Sequence, residues 1–127
     1  MSLNITPSVA RGRQLVQGYG DGHFRIADVR HKGSVLIFPD ETLSWPVNVA
    51  ADITVDVLGA VAARADGLDL LVVGCGPDFT GPPEPLRAHL RGLSIALEWM
   101  DTGAACRTYN VLLTEDRRAA AALIAVD

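Results

Sequence analysis

The chain has 127 residues, 49% of them hydrophobic and 20% charged, which suits one folded domain and excludes a disordered chain. Its formal net charge of −4, with Lys32 as the one lysine, leaves no basic footprint for a phosphate backbone, so nucleic acid is not expected as a partner. No apolar run reaches the ~18 to 20 residues needed to span a bilayer, so the chain is not expected to cross a membrane itself.

Residues 1–16 carry little pattern beyond Pro7, Arg11 and Arg13 and read as a loosely ordered lead. They lack the basic-then-apolar order of a secretory signal, and nothing else there resembles a mitochondrial transit peptide. Gly18 to Gly22 reads as a turn cluster. Phe24 and Ile26 alternate with Arg25, and Val35 to Phe38 is a continuous apolar run, so the two are expected to pair as a hairpin. Pro39 to Thr42 supply the next turn. Leu43 and Trp45 give another short strand, which Pro46 must end or place at a sheet edge because it cannot donate to a ladder.

Thr54 is expected to cap a helix whose buried stripe is Val57, Leu58, Val61, Ala62 and Ala65, with Ile53 stapling onto Leu58 and Gly67 closing it. Leu70 to Val73 is four apolar residues in a row, the mark of a strand covered on both faces. A loop through Pro77, Gly81, Pro82 and Pro83 leads to a short helix from about Pro85 to Arg91, ended by Gly92. Ile95, Leu97 and Trp99 alternate with Ala96 and Glu98 as a further strand. This strand, helix, strand order is a βαβ unit, so its two strands should be parallel.

A third helix should begin at Thr102, its cap, with Asp101 placing negative charge at the positive end. Ala105, Tyr109, Leu112 and Leu113 form its apolar face, while Gly103, Arg107, Asn110 and Thr114 form a polar stripe. Glu115, Asp116, Arg117 and Arg118 then break the pattern. Four successive alanines make Ala119 to Val126 helical on propensity alone.

In open α/β sheets a crevice forms beyond the C-terminal ends of the strands. Gly74, Cys75 and Gly76 should meet Thr102 and Gly103 there. The glycine pair invites a dinucleotide reading, but the fingerprint needs glycine where Phe79 stands, and no Gly-Lys-Ser/Thr follows for a phosphate loop. Cys75 could be a nucleophile beside a helix N-terminus, yet none of His23, His31 and His89 is placed by sequence to serve as its base. No His, Cys, Asp or Glu set has zinc-site spacing, so no catalytic residue, metal or cofactor is assigned. Cys75 and Cys106 are too few for a disulfide scaffold, which favours a reducing compartment.

The run Asp101, Thr102, Ala105 to Leu112, Glu115, Asp116, Arg117 and then Ala120 to Ile124 resembles the family of NADH:ubiquinone oxidoreductase assembly factor 3. That family also takes in the adipogenesis-associated Mth-type domain protein. Leu70 to Gly76 matches the family's apolar strand ending in a Gly-x-Gly turn, and with Trp45 the resemblance covers most of the chain beyond about residue 20. It implies one α/β domain over residues 1–127, three-layered as (β+α)/β/α, with a mixed central sheet. It also implies that Ala119 to Val126 is a strand, the closing antiparallel member.

For function the resemblance implies a non-catalytic protein-interaction module, related to assembly of respiratory complex I or another membrane complex. Its partner would be an assembly factor or a membrane-complex subunit; a homo-oligomer is left open. The surface residues expected to serve it are Gly74, Cys75, Gly76, Thr102, Gly103, Arg107, Asn110, Glu115 and Arg117. The alternative is a small enzyme or small-molecule-binding protein using a crevice near Cys75, Thr102 and Arg107. The expected location is the bacterial cytoplasm, with the mitochondrion implied only for the eukaryotic relatives.

Overall fold

The computed structural model describes residues 13–127, so the lead expected over residues 1–16 lies mostly outside the described residues, while Val16 already belongs to a strand. Two sheets are built. The small one has strand order β1 (Val16–Gly20), β2 (His23–Ile26) and β3 (Val29–Lys32), all antiparallel. The central one has five strands in the order β5 (Thr42–Ser44), β4 (Val35–Ile37), β8 (Ala119–Leu123), β6 (Leu70–Gly74), β7 (Ala96–Met100).

The turn expected over Gly18 to Gly22 is in fact the end of β1 and only a two-residue turn. Asp21 (φ 51) and Gly22 (φ 74) take the left-handed conformation that matches the twist of a tight hairpin. The expected pairing of Phe24–Ile26 with Val35–Phe38 is corrected too. β2 lies between β1 and β3, and β4 belongs to the other sheet, because the short turn at Ala27–Asp28 returns the chain before Val35 is reached.

β6 is buried along its whole length and pairs in parallel with β7, as the βαβ pattern requires. α2 (Glu84–Gly92), with Pro85 in its first turn, joins the two strands. α3 (Thr102–Thr114) then carries the chain back across β6 to β8. A helical crossover delivers the chain to the same end of the sheet, so β8 runs parallel to β6. The antiparallel placement expected for Ala119 to Val126 holds only against its other neighbour, β4. The strand wins over alanine's helical propensity because its backbone is bonded on both sides, and α3 is terminated firmly before it. Asp116 (φ 58) is left-handed, Asp116 N donates to Leu113 O and Arg117 N to Leu112 O, the paired bonds that close a helix end.

Alternation along the central strands divides the core. Leu36, Leu71, Val73, Leu97, Ala120 and Ala122 face one side, where Trp45, Ile53, Leu58, Val61, Leu86 and Leu90 cover them. Val35, Ile37, Val72, Ala121 and Leu123 face the other, where α3 supplies Ala105, Cys106, Tyr109 and Leu113 and the small sheet supplies Val16, Phe24 and Ile26. The layers are therefore α3 with the small sheet, then the central sheet, then α2 with the segment after β5. That segment is not the single helix expected from Thr54 to Gly67. It is a 3-10 turn (Val55–Leu58), a short α1 (Gly59–Ala63) and a second 3-10 turn (Ala65–Gly67), and Thr54 makes no side-chain cap bond. Glycines at 59 and 67 and three β-branched valines weaken helix propagation over so short a stretch. Its anchors are instead specific: Trp45 Nε1 donates to Val57 O (2.8 Å), and the Arg64 guanidinium lies 4.0 Å over the Phe38 ring.

The starts of β6 and β8 are clamped by an exposed pair in which Arg118 Nη2 and Nε donate to Asp69 at 2.6 and 3.0 Å. The Arg118 hydrogen bond holds the Asp69 carboxyl below the usual carboxylate range. A depressed folded pKa means stabilisation present above the ordinary aspartate value, about 4, and lost as pH falls through the lower folded value. We expect Asp69→Asn to lower urea-measured stability slightly at pH 7, with the difference from wild type shrinking below about pH 4 and in high salt. A difference unchanged by acid and salt would show that the pair's charge contributes nothing.

Candidate functional site

At the C-terminal ends of β6 and β8 the chain ties itself together. Ile124 N donates to Gly74 O (3.0 Å), Cys75 N to Met100 O (2.8 Å) and Thr102 N to Gly76 O (2.9 Å). The Thr102 hydroxyl uses both its capacities, donating to Ile124 O (2.7 Å) and accepting from Gly76 N (3.1 Å). A Cβ on Gly74 would sit 2.8 Å from Thr102 Cα, and Gly76 is left-handed at φ 109. The Gly-x-Gly turn is thus explained by a close approach at its first glycine and a backbone conformation at its second.

This closure occupies the place where the crevice was expected. Gly74, Cys75, Gly76 and Thr102 are all buried, and the groups that would face a crevice are bonded to one another, Met100 and Ile124. Thr102 is not the helix cap. That role falls one residue earlier, where Asp101 Oδ1 accepts from Ala104 N (2.9 Å), which frees the Thr102 hydroxyl for the strand ends. Cys75 directs its thiol to Asp78 O (3.5 Å). Cys106 is buried, and loss of hydration pushes its thiol up to about 12. Both cysteines are free thiols. Among the described residues no three His, Cys, Asp or Glu side chains are grouped to hold a metal ion.

The polar stripe of α3 divides in two. Asn110 is a tether: its Nδ2 donates to Val16 O (2.7 Å) and its Oδ1 accepts from Val16 N (2.9 Å), replacing the pair of bonds a neighbouring strand would give β1. Gly103 lies under Tyr19, whose hydroxyl would be 2.7 Å from a Cβ there. Arg107 points outward and lines an open groove of about 260 Å³ with Thr108, Val111 and Leu112. Val111 is 54% exposed, and Glu115, two turns beyond Arg107, caps the same helix. Arg117 is exposed in the turn that follows, its charge adding to that of Arg118 near Asp69. Of the nine expected residues, Arg107, Glu115 and Arg117 are therefore surface, while the other six build the closure or hold β1.

A second depression, about 250 Å³, was not anticipated. It lies on the small sheet, lined by Gly18, Gly20, Asp21, His23, Arg25 and Arg30 among others. The signal was present as basic residues two apart on both sides of the Ala27–Asp28 turn, His23 and Arg25 before it, Arg30 and Lys32 after it.

The model of a family described as protein of unknown function (DUF498/DUF598) matches residues 16–124. An uncharacterized protein of Rhodobacter capsulatus is 40% identical over 113 residues, 89% of this chain and 86% of that one. A Drosophila melanogaster protein named NADH dehydrogenase [ubiquinone] 1 alpha subcomplex assembly factor 3 is 34% identical over 87% of this chain, which spans only 58% of its length. The zebrafish protein of the same name is 31% identical over 97% of this chain and 71% of its own. Among solved structures, one described as an outer membrane protein from Bartonella henselae superposes with a TM-score of 0.86 at 38% identity, covering 92% of this chain and 98% of that one. A Bordetella pertussis protein described as a Mth938-like domain gives 0.82 at 30% identity, covering 98% and 92%.

Two outcomes are expected, one from the closure and one from the buried face of α3. Thr102→Val keeps the shape but leaves Gly76 N–H and Ile124 C=O unpaired, so urea unfolding should show a loss of about 2–4 kcal/mol, against about 1 for Asp101→Ala. Equal losses would mean that the hydroxyl is not the tie described. In the second experiment, iodoacetamide at pH 8 should leave Cys106 unmodified in the folded chain and alkylate it once urea unfolds it, since the thiolate is scarce at that pH and the sulfur is buried. Rapid labelling of the folded protein would contradict both properties.

Proposed function

This chain belongs to the family of proteins of unknown function DUF498/DUF598, and from that premise we propose that it is a non-catalytic protein-interaction module serving the assembly of a respiratory complex or another membrane complex. Relatives named as assembly factors match it across most of its length, which supports that reading. The partner is an assembly protein or a membrane-complex subunit. Bacterial cytoplasm is the compartment we assign, supported by the two free thiols. Among the described residues no helix is long and apolar enough to cross a membrane.

The observation that carries the proposal is the outer face of α3. Arg107, Val111 and Glu115 recur every four residues, placing a cation, an exposed aliphatic side chain and an anion along one rigid helix whose opposite face is locked in the core. An arginine beside exposed apolar surface is the composition of an interface anchor. The alternative, an enzyme or small-molecule site near Cys75, Thr102 and Arg107, has less support. Cys75 and Thr102 are sealed inside the closure while Arg107 stands outside on the helix surface.

Affinity capture of the tagged full chain from detergent-solubilised host membranes, read by mass spectrometry, tests the reading. Wild type should recover subunits or assembly proteins of one membrane complex. Val111→Asp or Arg107→Ala, folded normally by thermal melting, should recover roughly thirtyfold less if each is a hot spot of about 2 kcal/mol. Recovery equal to that of an unrelated tagged control would end the proposal.

A further inference from the structure

The outward face of the small sheet is a cationic depression, and we propose that it docks an extended acidic segment of a partner protein, whose carboxylates meet Arg25 and Arg30. This rests on the interaction-module reading and supplies the chemistry of the partner.

The register fixes the arrangement. Arg25 is directly opposite Arg30, and His23 directly opposite Lys32, across the β2–β3 ladder. Residues two apart share a face, so all four project to the same side, away from buried Phe24 and Ile26. Like charges directly opposite one another on a sheet are destabilising, so the Arg25–Arg30 pairing opposes folding unless something neutralises it. Local acids do so incompletely. Asp28 pairs with Arg25 at 3.9 Å while also accepting from Gln17 Nε2 at 2.8 Å, which leaves Arg30 across the ladder without that acid. Asp21 contributes one carboxylate to the lining of the depression. Among the described residues Arg30 and Lys32 have no acidic partner.

The third strand makes room for a ligand. Gly18 pairs with Arg25 and Gly20 with His23, and the space where either would carry a side chain is open. β1 therefore forms a low floor, and two guanidinium groups stand beside it over about 250 Å³. Planar guanidinium forks suit carboxylates bidentately.

A protein segment is favoured over a membrane by charge. A planar anionic bilayer feels the whole chain, whose net charge is −4, whereas a narrow segment feels the local cluster.

The test uses the full chain and a short fluorescein-labelled peptide alternating Glu and Thr, followed by anisotropy, with a Lys/Thr peptide as its counterpart. The acidic peptide should bind saturably and more weakly as salt rises, and the basic one should not. The Arg25→Glu/Arg30→Glu double variant should bind the acidic peptide roughly tenfold more weakly or worse. Amide shifts on adding the acidic peptide should centre on Gly18, Gly20, Arg25 and Arg30, a readout that does not depend on any variant folding. Indifference to peptide charge, shifts centred elsewhere, or binding to phosphatidylserine vesicles without binding to the peptide would overturn the proposal. Should wild type and double variant capture the same membrane-complex proteins equally, this face is not the contact and the module reading stands. Should wild type capture nothing above control, both fall.

Discussion

The closure at the ends of β6 and β8 depends on one missing atom. Gly74 has no Cβ, so the Thr102 backbone reaches the strand end, and only from there can its hydroxyl bridge Gly76 and Ile124. Three consequences follow from that approach. The first turn of α3 is fixed against the sheet, the end of β8 is fixed to the end of β6, and the crossover turn after β6 is held in its left-handed shape at Gly76. A serine could bond similarly, but its smaller side chain would pack the site less fully. The closure also explains why Asp101 caps the helix: the residue after the cap is needed elsewhere.

Given that anchor, the sheet can be thin where its neighbours are bulky. β8 contributes mostly methyl groups, Ala119 to Ala122, in the middle of the central sheet. The volume comes from the flanking layers: Tyr109, Phe24 and Ile26 on one face, Trp45, Leu58 and Leu86 on the other. Tyr109 is fully buried, its hydroxyl without a hydrogen-bond partner among the described residues, and burial raises its pKa. A phenol tolerated in that state is there for its ring, since an unpaired buried hydroxyl costs about 1–3 kcal/mol. Alanine spacing on β8 and aromatic bulk on α3 are two halves of one packing solution.

How much of this was legible in the sequence depends on how local each signal was. Leu70 to Val73 and the alternation from Ile95 to Trp99 announced two strands correctly, because burial pattern and strand length agree there. β8 was legible only through family resemblance, and its direction against β6 was misjudged although the intervening helix fixes it. The small sheet was half seen: glycines at 18 and 20 lower strand propensity, so β1 read as a turn. The segment after Thr54 failed because a plausible apolar stripe says nothing about whether glycines will let a helix propagate. Thr102 reads from sequence as the cap of α3 beside an open crevice, whereas Asp101 is the cap and the Thr102 hydroxyl ties the strand ends together. A backbone approach so close that a Cβ on Gly74 would lie 2.8 Å from Thr102 Cα has no signature in spacing alone.

The expected crevice belongs to a logic in which strand ends are left open so that helix amides and loops can hold a ligand. Here the same polar groups are turned inward and bonded within the closure, and the two surfaces proposed for recognition lie on the outside of the layer that α3 shares with the small sheet. The two candidate surfaces in that layer are joined through β1. Asn110 holds Val16 by two hydrogen bonds from the middle of α3, and Tyr19 lies over Gly103 at its start. The glycines that floor the cationic depression are Gly18 and Gly20, on either side of Tyr19. The strand that keeps the depression open is thus clamped at two points to the helix that presents Arg107 and Val111. A partner that engaged the sheet face and the helix face together would meet two surfaces already fixed relative to each other, with little ordering entropy left to lose on binding.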